Sequence, residues 1–175
     1  MELTLAEIDQ QEANTILQAF NSDIAFEIGC RLRTLALKEF DRPALLQIVS
    51  ATGLVYFQAS SRPGTIIDNQ FWAERKRRTV LHFYRSTFYL GTKLRIEGRE
   101  LYNTFKLPED QYSLAGGGFP IRVRGTEGVQ AVIVVSGLKQ HEDHDLCYRA
   151  LREYIESAEE AALSIKPSKE DSIEA

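Results

Sequence analysis

Four short segments of this sequence carry residue types and spacings that can do chemistry. The first runs from Gly64 to Lys76. A glycine followed by Asp68-Asn69 as a helix cap leaves backbone N–H groups pointing outward, an arrangement that holds anions. Trp72, Arg75 and Lys76 fall within one turn, so a stacking ring and two cations share a face. The plainer reading is a capped helix whose tryptophan fills the core. The second segment, Arg75-Lys76-Arg77-Arg78, wraps bases right around that helix and cannot form a one-sided nucleic-acid stripe. Solvated charge, with Arg75 or Lys76 turned inward to a carboxylate, outranks nuclear import or RNA contact.

The third segment is Ala115-Gly116-Gly117-Gly118-Phe119-Pro120. Its glycines permit positive φ and close backbone approach, either as an N–H nest for an anion or as a tight entry into an edge strand. Pro120 supports the edge strand, because proline cannot donate to a ladder. The fourth segment passes from Val135-Ser136-Gly137 into Gln140-His141-Glu142-Asp143-His144-Asp145. Its acids suit a positive helix end. His141 and His144 stand at i and i+3, but zinc takes a further strong ligand and His82 is the one other histidine. Capping and intersubunit ion pairs therefore rank above a metal, and none is assigned. His144 with Asp143 is the best acid/base pair in the chain.

These segments need elements to position them. Leu5 to Ala13 reads as a helix and Ile16 to Phe20 as a short strand. Asn21-Ser22-Asp23 caps a helix to Phe40, with Ile24, Ile28, Leu32 and Leu35 at helical spacing. A hairpin follows, Ala44–Ser50 turning at Thr52-Gly53 into Leu54–Ala59. Asp68 or Asn69 opens a helix to Tyr84, with Phe71, Trp72, Val80 and Phe83 as its apolar contacts. Ser86–Ile96 and Arg99–Phe105 read as two more helical pieces. A second hairpin joins Phe119–Arg124 to Val129–Val135, whose nearly unbroken apolar run predicts a central, doubly covered strand. Gln140 to Ala162 is the last helix. Residues 1–163 make one domain, and the polar 164–175 stretch reads as a disordered tail. The order predicts an α/β (α+β) fold: a three-layer α–β–α sandwich around a mostly antiparallel, profilin- or PAS-like sheet.

Composition limits the function classes. With 43% hydrophobic and 26% charged residues the chain is ordinary globular protein, and it has no long apolar run to insert in a membrane. Acids near Met1 in place of the bases of a secretory signal predict a cytoplasmic protein, with the nucleus as the alternative. The net charge of −4 is unevenly placed. Residues 62–99 hold nine Lys/Arg against three Asp/Glu, and the remainder twelve against twenty-two. An acidic body with one basic segment argues against nucleic-acid coating and for a small anionic ligand or an acidic partner surface. Cys30 and Cys147 lie far apart without a C-x-x-C spacing and are expected to be buried free thiols.

Taken in order, Gly64-Thr65, Asp68-Asn69, Trp72, Arg75-Lys76, Phe83, Ser86, Gly91, Tyr112, Gly116-Gly117, Phe119-Pro120 and Val135-Ser136-Gly137-Leu138 to Asp143-His144 resemble the GlcG/HbpS-like, haem-degrading-type family, in its uncharacterised microbial branch. The resemblance spans Leu5 to Ile155. It implies a five-stranded sheet and homo-oligomers built from dimers, with motif residues near subunit contacts. It also links relatives to haem binding or breakdown. That branch usually has a histidine where this chain has Ala115, which weakens a haem role here and leaves the expectation of no cofactor. The leading expectation is an oligomeric protein without established catalysis. It would bind a small anion through Arg75, Lys76, the Gly116-Gly117 backbone and the Ser136-Gly137 turn. Asp68, Asn69 and Trp72 would shape the site or a subunit border. A docking role for the basic 62–99 segment and haem handling are the alternatives.

Overall fold

The computed structural model describes residues 3–164. Helix α1 (Leu5–Ala13) starts at Thr4, whose hydroxyl accepts from the Glu7 N–H while the Glu7 carboxylate accepts from the Thr4 N–H. This reciprocal cap satisfies two donors that a helix start leaves open. β1 (Ile16–Leu17) leads to α2 (Ser22–Glu39), capped by Asn21 Oδ1 accepting from the Ile24 N–H at 2.9 Å. The hairpin β2 (Leu45–Ser50) and β3 (Val55–Ser60) follows. Then come α3 (Ile67–Phe83), α4 (Thr87–Ile96) and α5 (Leu101–Phe105). β4 (Gly118–Val123), β5 (Ala131–Ser136) and α6 (Gln140–Ser164) complete the order.

The strands form one sheet in the order β1-β4-β5-β2-β3. Only the β1–β4 pair is parallel, so the sheet is mostly antiparallel, as expected. β5 lies at its centre with all six residues buried, which explains why its sequence shows no alternation. On one face α2 and α6 cover a core that includes Leu32, Ile48, Ile133 and Leu146. On the other, α3 sets Ala73 and Val80 against Leu45, Val132 and Val134. Among the described residues no helix is long and apolar enough to cross a membrane.

Several local expectations are corrected. The strand from Ile16 shrinks to two residues. β4 is interior by order, yet β1 reaches only Arg122 and Val123, so Pro120 has a strand partner on the β5 side alone. That half-edge is why a proline is tolerated there. Helix α3 begins at Ile67, before the expected cap. Asn69 sits inside the first turn and reaches back to accept from the Ile66 N–H at 2.9 Å. Phe71 is 55% exposed and belongs to neither core cluster. Cys30 is exposed while Cys147 is buried, so the thiols are free but not both enclosed. The expected tail, apart from Ser164, lies outside the described residues.

Candidate functional site

Lys76 and Arg75 are neighbours in sequence, but α3 sends them to different places. Lys76 points inward and is 3% exposed. Its ammonium donates to Asp143 Oδ2 and to the Val135 carbonyl, both at 2.8 Å. Asp143, one turn into α6, accepts on Oδ1 from the Leu138 N–H at 3.1 Å. Helix α3, the end of β5 and the start of α6 thus meet on one buried ion pair. Burial pushes the Asp143 carboxyl above the ordinary carboxylate range, and the Lys76 ammonium and the Leu138 and Gly137 N–H groups pull it back.

The glycine run explains how the pair fits. Gly117 has φ +110°, and a Cβ there would stand 2.4 Å from the Val135 oxygen and 2.8 Å from Lys76 Nζ. At Gly116 a Cβ would stand 2.2 Å from the Gln140 oxygen. These backbones are buried against β5 and α6, and the Gly117 carbonyl accepts from the Val135 N–H at 2.8 Å. The run therefore serves close approach; it does not open as a nest. Gly117→Ala is expected to cost at least about 1–3 kcal/mol from backbone strain alone. The measurement is the denaturant midpoint at unchanged m-value, and a wild-type midpoint would refute this role. At the same end of the sheet, Asn69 Nδ2 donates to the Ser136 carbonyl at 3.4 Å, and Gly137 passes close to the Pro43 carbonyl.

Arg75 faces out. Its guanidinium lies 4.1 Å over the Trp72 ring, and Trp72 Nε1–H donates to Asp68 Oδ2 at 3.0 Å. Asp68, Trp72 and Arg75 recur at i, i+4 and i+7, one flank of α3. A cleft of about 320 Å³ opens beside Trp72 and Arg75, lined also by Leu101, Glu109, Tyr112 and Ala115, with Asp68 outside the lining. A second depression of about 410 Å³ shares Leu101, Glu109, Leu114 and Ala115 with it. Arg75 Nη1 donates to the Glu109 carbonyl at 3.4 Å, and no carboxylate among the described residues pairs with it. This cation rests on an aromatic face at the rim of a cleft, whereas Lys76 is consumed inside.

Asp143 and His144 are adjacent but not partners. His144 is fully buried, its Nε2 2.8 Å from Gln11 Oε1 and its ring against Phe88 and Phe119. Burial lowers its pKa to about 3, so the ring is neutral. Its Nδ1 is buried without a hydrogen-bond partner. His141 is exposed, in a separate cleft with Glu142 and Asp145, and no group of metal-ligating side chains forms among the described residues.

Two parts of this arrangement escape sequence reasoning. Glu12 is a buried carboxylate that accepts from the Ser86 N–H at 2.9 Å and Arg85 Nε at 2.8 Å, with Arg122 at 3.5 Å. It ties α1 to the α3–α4 junction and to β4. The signal was its position four residues after the buried Ile8. The other is the Gln11–His144 contact, which joins residues 133 positions apart.

A family model described as "Haem degrading protein HbpS-like" matches residues 20–152. A UPF0303 protein of Brucella anthropi is 38% identical over 151 residues, 86% of this chain and 87% of the relative. The crystal structure of the Ybr137w protein superposes with a TM-score of 0.84 at 28% identity, covering 90% of this chain and 91% of that one. A structure titled as a PduOC:haem complex superposes at 0.62 with 18% identity, covering 78% and 94%, a likeness of fold alone.

Proposed function

Because this chain belongs to the HbpS-like family, we propose that it is a homo-oligomeric binding protein for a small anion, with the Trp72–Arg75 cleft as its receptor. The observation that carries this is the Arg75 guanidinium, stacked on Trp72 at a cleft rim and paired with no carboxylate among the described residues. With one such cation and one lining carboxylate, Glu109, the cleft suits a monoanion with an apolar body better than a polyphosphate. Lys76, Gly116, Gly117, Ser136 and Gly137 then act behind the cleft, holding α3 in place. Binding is favoured over catalysis because Asp143 and His144 engage separate partners. The cytoplasm is the compartment that fits such a role.

Docking through the basic 62–99 segment has less support, since part of its charge is spent on the segment's own contacts. Arg62 donates to the Leu37 and Phe40 carbonyls, Lys76 pairs with Asp143, Arg78 with Glu74, and Arg85 with Asp9 and Glu12. Haem, to which the family description and the PduOC complex point, has less support at this cleft. Among the described residues no histidine lines it, which leaves Tyr112 as its one axial candidate, while Ala115 has no donor, His144 is enclosed, and His141 stands beside two carboxylates.

Native mass spectrometry of the purified protein tests the proposal. A multimer carrying a co-purified anion is expected. Arg75→Ala is expected to weaken that anion by about tenfold or more, the loss of one charge-assisted contact, with the assembly mass unchanged. An empty multimer that takes up one haemin per chain would overturn the anion reading.

A further inference from the structure

A further cleft, of about 510 Å³, lies at the opposite side of the sheet from β3, between edge strand β1 and the outer half of α6. Its walls differ from those of the Trp72–Arg75 cleft. Ile16 and Leu17 of β1, Ile24 of α2, and Ile155, Ala158 and Ala162 of α6 give it a mostly aliphatic lining. On α6, residues 155, 158 and 162 recur at i, i+3 and i+7, so they present one stripe along the groove. Alanines in that stripe leave the space open that larger side chains would fill.

Two guanidiniums stand on the lining. Arg152 is committed: it donates to the Asn14 carbonyl at 3.0 Å and to Glu156 at 2.7 Å. Arg124, exposed just beyond β4, has only its backbone N–H engaged, donating to the Leu17 carbonyl at 2.8 Å, and no carboxylate pairs with its side chain among the described residues. The lining also holds one carboxylate, Glu159, against its two guanidiniums. An aliphatic groove with one uncommitted guanidinium matches an amphiphilic anion. We infer that the β1–α6 cleft binds an unbranched aliphatic carboxylate, its chain along Ile16, Ile24, Ile155 and Ala158 and its carboxylate on Arg124.

This site stands apart from the Trp72–Arg75 cleft and does not depend on it. The probe is decanoate below its micellar concentration, followed by calorimetry, with decanol as the uncharged control. In Arg75→Ala protein, where the other cleft has lost its cation, decanoate is expected to bind at one site per chain, and more tightly than decanol. Arg124→Ala is expected to weaken decanoate about tenfold or more while leaving decanol unchanged. Ala158→Phe, at an exposed helix position, is expected to fill the groove and abolish both. Circular dichroism checks that each variant folds. Decanoate binding that survives both variants but is lost in Arg75→Ala would overturn the inference and assign the anion to the other cleft. A change of assembly mass in Ala158→Phe would also overturn it, because a second copy would then cover the groove. Absence of decanoate binding to Arg75→Ala protein would overturn it too, leaving the Arg75 proposal untouched, because that variant lacks the other cleft's cation.

Discussion

Lys76→Met is expected to destabilise the protein by about 3–5 kcal/mol, because it strands Asp143 as an uncompensated buried charge. The side chain loses both its bonds, to Asp143 Oδ2 and to the Val135 carbonyl. With native stability of only about 5–15 kcal/mol, such a loss is a large fraction of the whole. The double variant Lys76→Met with Asp143→Asn should recover much of it. Asparagine keeps an acceptor for the Leu138 N–H and carries no charge to bury. A double-mutant cycle by denaturant unfolding measures the coupling. Wild-type stability in Lys76→Met would contradict the ion pair as the junction of α3, β5 and α6. A double variant as weak as the single would show that charge is not what was lost.

The second large effect is acid lability set by His144. Burial holds its pKa at about 3 in the fold, while the unfolded chain offers an ordinary histidine near 6.5. Between those values the unfolded state binds a proton that the native state refuses. Stability therefore falls as pH drops, with a slope from this residue of about 1.4 kcal/mol per pH unit. At pH 5 its contribution amounts to roughly 2 kcal/mol lost relative to pH 7. His144→Gln removes the titration and keeps an amide to meet Gln11. Its stability curve should be flatter than wild type by that amount between pH 7 and 5. Parallel curves would show that the native ring accepts a proton in place.

The contrast between these predictions and the sequence is physical. The apolar run Val129–Val135 announces β5, because a strand covered on both faces needs no polar alternation. Helical spacing announces α2 and α6 for the same kind of reason. Local chemistry was harder to read where a side chain answers to a distant one. Arg75 and Lys76 are equal candidates for the inward position until α6 is known to bring Asp143 to α3, 67 residues away. Asp68-Asn69 looks like a cap, yet Asn69 caps from within the first turn, a choice that depends on how the chain leaves β3. Phe71 looks like core, but the helix turns its flank with Ile67 to solvent. Cys30 reads as buried because free cysteines usually are, yet it stands on a face of α2 that is open.

Among four consecutive bases, lysine occurs once, and its place is the buried one. A helix built on Arg75-Lys76-Arg77-Arg78 could turn about its axis and still offer a cation to Asp143. The cavity is shaped against that error: Gly117 leaves room for a narrow ammonium where a hypothetical Cβ would already stand 2.8 Å from Nζ. A planar guanidinium is wider and carries five donors, of which this site could satisfy few. Lys76 thus acts as an index mark that fixes the rotation of α3, and through it decides which arginine is delivered to the tryptophan outside.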